Sequence, residues 1–279
     1  MPITGHALML MLAGLVHEAP VAAADEPAAT PARPVDRVSL WVGSLRTHSD
    51  TTFRGRASSG DYSVAGRVNL ESDLGLDQRQ PVTHIRLDVL VGEAQGLSLE
   101  HFAYRRSASR ELARELVFQG QTYLAAARIQ ARFEYDFGSV AHRWWFGEGA
   151  TAYGLGLGLA YYRVQSLLVG EASLDGNRVE WVSHSSDHAI APLLALGWRH
   201  ALGDDLRVYV DLSGVAKGGS GLAGHVVDAA VGLEWFPFRR LGIAAEYGAT
   251  TIRLDRARNG LDARLELVLQ GPSLFTRLR

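Results

Sequence analysis

The chain has 279 residues and no cysteine, which excludes disulfides, thiolate metal sites and cysteine nucleophiles. Neither sign of charge is in excess. Lys and Arg number 28 against 30 Asp and Glu, a formal net charge of -2, so no basic footprint points to nucleic acid. A membrane helix needs about 20 consecutive apolar residues, and the apolar run at 7–16 (ALMLMLAGLV) is only half that long. A phosphate-cradling loop is missing too. The stretch YGLGLGLAYY at 153–162 spaces its glycines G-x-G-x-G rather than G-x-G-x-x-G, and no helical pattern follows it.

What the chain does have is glycine and apolar residues: 30 glycines in a sequence that is 47% hydrophobic, a composition suited to many strands and turns. Its first residues read as an address. The run at 7–16 is followed by small residues with an A-x-A pattern at Ala22 and Ala24, which predicts a cleaved signal peptide over 1–24. The leading MPITGH carries no Lys or Arg, a departure from the usual pattern. Residues 25–36, rich in Pro and Ala, read as a periplasmic tether without a fold, and 37–279 as the folded body.

Within that body the hydrophobic pattern has period two, the period of a strand. In 153–161, Tyr153, Leu155, Leu157, Leu159 and Tyr161 alternate with Gly154, Gly156, Gly158 and Ala160. At 82–91, Ile85, Leu87, Val89 and Val91 alternate with His84, Arg86 and Asp88. At 123–137, Ile129, Ala131, Phe133, Tyr135 and Phe137 alternate with Arg128, Arg132, Glu134 and Asp136. Similar segments at 37–46, 96–105, 190–200, 206–212, 227–235, 241–247 and 261–269 bring the count to ten. The segment at 123–137 is far longer than the roughly 5–6 residues of a globular strand and suits a tilted strand crossing a bilayer.

The expected fold is therefore an all-β transmembrane antiparallel β-barrel of about ten strands. Twelve is the alternative, if 62–70 enters the membrane or Gly271-Pro272 divides the last segment. The apolar face is assigned to lipid: Leu155, Leu157, Leu159, Ile129, Val231 and Leu233. The other face is assigned to the lumen: Arg86, Asp88, Arg128, Arg132, Glu134, Arg207, Asp211, Asp228, Glu234, Glu246, Arg264 and Glu266. Gly154, Gly156 and Gly158 then leave room in the lumen, with Arg128 and Arg132 of the neighbouring strand as candidates to fill it.

Short links at 92–95, 138–143, 201–205 and 237–240 alternate with longer ones at 47–81, 106–120, 165–189, 217–224 and 255–260. Short turns on one side and long loops on the other mark an outer-membrane barrel with periplasmic turns, and an even strand count leaves both termini in the periplasm. Phe137, Trp144, Trp198, Trp235 and Phe275 fall near the expected turns, and Tyr123, Tyr161 and Tyr162 near the outer loops, as two aromatic girdles require. In ESDLGLD (71–77), APLLALGWR (191–199), VGLEW (231–235), LGIAAEY (241–247) and QGPSLFTRLR (270–279), the sequence resembles a group of proteobacterial outer-membrane β-barrel proteins. The resemblance covers most of the body and implies a barrel without a particular activity. Barrels of this kind usually end in an aromatic residue read by the barrel-assembly machinery, an expected partner. Here the last aromatic is Phe275, and the final residues are Leu278 and Arg279.

Charges of both signs on facing strands are read as an ion-paired plug, since buried charges must pair. A narrow charge-lined channel for small solutes is the alternative. The stretch HSSDH at 184–188 carries a base, a nucleophile and an acid in type. His184, Ser186, Asp187 and His188 are thus candidates for an outer-membrane lipid-modifying hydrolase. Adjacency in sequence is not triad geometry, and a polar loop foot is the plainer reading. His84, His101, His184 and His188 show no ligand spacing, so neither metal nor cofactor is expected. Long outer loops suit contacts with outer-membrane lipids, lipopolysaccharide or an extracellular ligand. The expected role is structural or loop-mediated binding at the cell outer membrane, more a non-enzyme than an enzyme.

Overall fold

The computed structural model describes residues 34–279 except 60–61, 112–115, 119–120, 124–127, 175–176, 219–221 and 259–260. The expected signal peptide and most of the tether lie outside the described residues. Thirteen strands follow one another: β1 (Val38–Ser59), β2 (Tyr62–Asn69), β3 (Arg79–Val91), β4 (Gln95–Glu111), β5 (Leu116–Phe118), β6 (Gln121–Tyr123), β7 (Arg128–Phe146), β8 (Thr151–Leu174), β9 (Asn177–Ala201), β10 (Leu206–Lys217), β11 (Leu222–Trp235), β12 (Leu241–Arg258) and β13 (Leu261–Leu278). Ten of them close an antiparallel barrel, in the ring order β1, β3, β4, β7, β8, β9, β10, β11, β12, β13, with β13 returning to β1. The short β2 pairs with Thr52–Ser59 of β1, above the reach of β3, and β5 pairs only with β6. Gly271 and Pro272 do not divide β13; they only interrupt its ladder with β1 opposite Arg46 and Thr47.

Four turns lie at one end of the barrel, at 92–94, 147–150, 202–205 and 236–240. Gly92 (φ 76°) and Gly149 (φ 61°) supply left-handed backbone there. The sequence expectation of a turn at 138–143 is corrected: β7 runs unbroken through it, and Gly138 pairs with His101 on one side and Tyr161 on the other. Most of the expected long loops are strand as well. Residues 47–59, 106–111, 165–174 and 177–189 all continue the wall. β8 has 24 residues, about 80 Å at roughly 3.4 Å per residue. Crossing a bilayer takes only about 9–11.

The excess length changes what the alternation means along each strand. Near the turns, the outward side chains are apolar and exposed: Val140, Leu155, Leu157, Leu159, Leu194, Leu196, Val231, Leu233 and Ile243. On β8 this belt runs from Tyr153 to Tyr161 and stops at Arg163. Arg105, Asp136 and Arg163 mark the same boundary on the outer wall of three adjacent strands. Beyond it the polarity inverts. Apolar side chains now turn inward and form a core inside the barrel: Leu70, Leu74, Leu76, Tyr104, Phe133, Tyr135, Tyr162, Ile252, Leu267 and Leu269. Each large apolar side chain so buried contributes about 1.5–3 kcal/mol. Alternation is preserved throughout, but the dry face changes from outside to inside once the outer wall leaves the apolar belt.

Five lumen assignments are corrected for this reason. Arg128, Arg132, Glu134, Arg264 and Glu266 all lie in the far half and on the outward parity of β7 and β13. Arg128 pairs with Glu111, Glu134 with Arg105, Arg264 with Asp255, and Glu266 with Arg54, all on the outer wall. The lipid assignment of Ile129 falls on a side chain outside those described.

Candidate functional site: the barrel interior

In the turn-side half, the inward positions carry charge instead of an apolar core. Arg86 and Asp88 of β3, Arg207 and Asp211 of β10, Asp228 and Glu234 of β11 and Glu246 of β12 all point inside, at the positions assigned from sequence. They form two tiers. In the deeper tier Asp211 accepts from three guanidinium groups: Arg86 Nη1 at 2.8 Å, Arg199 Nη2 at 2.8 and 3.0 Å, and Arg143 Nη1 at 3.4 Å. Arg86 also donates to Asp88 at 3.1 Å, which takes a further bond from Ser98 at 2.7 Å. Such charge-assisted bonds are roughly twice as strong as neutral ones, and burial makes the pairing obligatory.

The tier at the turn end is built around Asp36, just ahead of β1. Arg207 grips its carboxylate with both terminal nitrogens, at 2.8 and 3.1 Å, and Arg277 Nη2 adds a third bond at 2.9 Å. Glu234, fully buried, lies against Arg207 and Arg277. Aromatic faces complete the packing: the Arg277 guanidinium sits 4.3 Å over Trp41, and that of Arg279 3.9 Å over Phe236.

Further along the axis is a third group of polar side chains. His84 Nε2 lies 2.8 Å from Glu100 Oε1, Thr250 donates to Asp228 at 2.6 Å, and Tyr209 donates to Glu246 at 2.8 Å. His84, Glu100, Asp228, Thr250 and Glu246 border a cavity of about 60 Å³, which also meets Leu45, Val82, Phe102 and Leu269. Above it the apolar core closes the interior. Tyr104, Tyr135, Tyr162 and Phe133 are each at most 1% exposed.

Several of these residues escaped the sequence reading: Asp36, Glu100, Arg143, Arg199 and Arg277. Arg143 fell in the expected turn at 138–143. A signal was present, because Arg143 faces Gly156 across the β7–β8 ladder and Trp145 faces Gly154. The room left by the glycines is filled by Arg143 and Trp145, not by Arg128 and Arg132.

The HSSDH stretch does not assemble a triad. Strand alternation on β9 turns Ser185 and Asp187 inward, where both bond Arg256, and places His184, Ser186 and His188 on the outward parity. His184 and Asp187 are thus on opposite sides of the wall, and the hydrolase arrangement expected of His184, Ser186 and Asp187 is corrected. The four histidines likewise stay apart: His84 is inside on Glu100, and His101 is outside against the Phe137 carbonyl.

No family model and no curated protein matches the sequence. Its structure is similar to that of the outer membrane protease OmpT from Escherichia coli, with 8% identity and a TM-score of 0.51 over 86% of this chain and 97% of that one. The translocator domain of autotransporter NalP from Neisseria meningitidis is also similar, with 12% identity and a TM-score of 0.42 over 84% of this chain and 86% of that one. So is Ail of Yersinia pestis, with 11% identity and a TM-score of 0.26 over 85% of this chain and 97% of that one. At such identities the likeness to OmpT concerns the fold alone. The chain has the closed antiparallel barrel of outer-membrane proteins.

Proposed function

We propose that the protein is a closed barrel of the Gram-negative outer membrane that acts through its exterior, as a rigid support for a projecting wall and its loops. The observation that carries this reading is the filled interior. A packed apolar core occupies the far half, and arginine–carboxylate tiers occupy the turn-side half. A solute path needs continuous water. The two cavities described inside, about 60 and 30 Å³, each have room for only a few waters. The apolar belt supports insertion in a bilayer, and the strands continue well past it. The charged outer wall beyond the belt, with Arg105 and Arg163 flanking Asp136, suits contact with the phosphates of outer-leaflet lipopolysaccharide. Planar-bilayer recording on protein shown to be folded by its heat-dependent gel mobility tests the reading. Silence at all voltages is expected. Steady conductance steps would establish the narrow channel in its place.

A further inference from the structure

The arrangement around Asp36 is that of a receptor with its ligand already in place. We infer that the turn-side mouth of the barrel is a carboxylate-binding site, in which Arg207 and Arg277 hold Asp36 and take up a small external organic carboxylate when Asp36 withdraws.

The receiving groups belong to the barrel wall. Arg207 is on β10 and Arg277 on β13, and their side chains are 3% and 5% exposed. Arg277 is fixed by its Nε bond to Ser39 at 2.8 Å and by stacking on Trp41 and Phe236. Arg207 stacks on Phe236 as well. Two guanidinium groups locked in place, one presenting a fork, match the planar geometry of a carboxylate. The chain carries a single lysine, Lys217, among its 28 basic residues, so nearly every cation it has is of this forked kind.

The group they hold belongs to no strand. Residues 34–37 precede β1 without regular structure, tied among the described residues by a backbone bond from Leu90 N to the Arg37 carbonyl at 2.7 Å. Asp36 therefore has far fewer local restraints than its partners. If it leaves, Arg207, Arg277 and Arg279 face Glu234 alone in this tier, with Asp88 and Asp211 already committed to Arg86, Arg143 and Arg199. Glu100, Asp228 and Glu246 lie further from the mouth, with His84 and the hydroxyls of Thr250 and Tyr209. A vacated guanidinium pair buried this deeply calls for an anion.

The space beside Asp36 adds a second observation. A cavity of about 30 Å³ is lined by Asp36, Ser39, Trp41, Arg86, Arg143 and Arg277, among others. Trp41 Nε1 and Arg143 Nε, both buried, find no hydrogen-bond acceptor among the described residues. The Glu234 carboxylate oxygens, ion-paired with Arg207 and Arg277, likewise have no hydrogen-bond donor, so unpartnered groups of both kinds lie here, and the cavity's size suits a group of a few atoms.

Chemical rescue of the full-length folded protein tests this. The readout is the temperature at which the compact species disappears on a gel. Asp36→Ala should lower that temperature. Sodium acetate should raise it again, sodium chloride at equal ionic strength should not, and acetate should leave the parent unchanged. Adding Arg207→Gln to Asp36→Ala should abolish the acetate response. If Asp36→Ala does not refold without additive, its refolding yield in acetate against chloride gives the same reading. An Asp36→Ala protein as stable as the parent, equal effects of acetate and chloride, or an acetate response that survives Arg207→Gln would each overturn the inference.

Discussion

Between β2 and β3 the chain dips into the barrel and buries an ion pair, and replacing Glu71 there tests the account of the far half. The side chains of Arg106 and Glu71 are 0% and 2% exposed. Besides Arg106, Glu71 accepts from the Thr51 backbone N–H at 2.8 Å and from its hydroxyl at 2.9 Å. Arg106 lies over the rings of Tyr104 and Phe133, at 4.9 and 5.7 Å, and donates to Ser49 at 3.0 Å. Glu71→Ala strands a buried guanidinium, which costs about 3–5 kcal/mol. Local opening of the segment could relieve that only by exposing Leu70, Leu74 and Leu76, at about 1.5–3 kcal/mol each. Opening is therefore the dearer course, and the whole barrel should carry the loss. Urea unfolding in lipid vesicles, followed by tryptophan fluorescence and gel mobility, measures it. The double variant Glu71→Leu/Arg106→Leu should recover most of the stability, because replacing both charges removes the desolvation cost with the attraction. A Glu71→Ala protein within about 0.5 kcal/mol of the parent would refute the buried pairing and with it the docking of this segment.

Other expectations can be checked by the same unfolding assay. Leu157 points outward and is 52% exposed, so Leu157→Arg should destabilise by about 2–4 kcal/mol if the belt meets lipid near its midplane. Gly158→Ala should cost about 1–3 kcal/mol, because its Cβ would fall 2.0 Å from the Val140 carbonyl oxygen, which cannot give way. Gly156→Ala should be milder, since its nearest atom is Arg143 Cγ at 3.1 Å on a side chain able to shift. Arg132→Glu, on the exposed outer wall, should stay within about 0.5 kcal/mol of the parent. Arg199→Ala, whose side chain is 5% exposed against Asp211, should lose about 1.5–3 kcal/mol, because Asp211 keeps Arg86 and Arg143.

The contrast between Arg132 and Arg199 also locates the limit of the sequence reading. Period two was legible on nearly every barrel strand, and so was the closed ten-strand fold, because alternation follows from strand geometry whatever surrounds it. What alternation leaves open is which of its two faces is dry. In a strand that stays within a bilayer the apolar face is outside, and that rule placed Arg86, Asp88, Arg207, Asp211, Asp228, Glu234 and Glu246 inside, where they are. On β7 the same rule was applied to a segment beyond the belt, where Phe133 and Tyr135 are the inner core and Arg132 faces outward. The sequence did carry a way to tell. Small residues mark an inner face when a bulky residue faces them across the ladder, as Arg143 faces Gly156 and Trp145 faces Gly154. Counting back along β7 from Arg143 in steps of two reaches Phe137, Tyr135 and Phe133, and so turns those rings inward without reference to a membrane. A glycine stripe and its cross-strand partner therefore fix the facing of a barrel strand more securely than its hydrophobicity does, because steric room is the same property in water and in lipid.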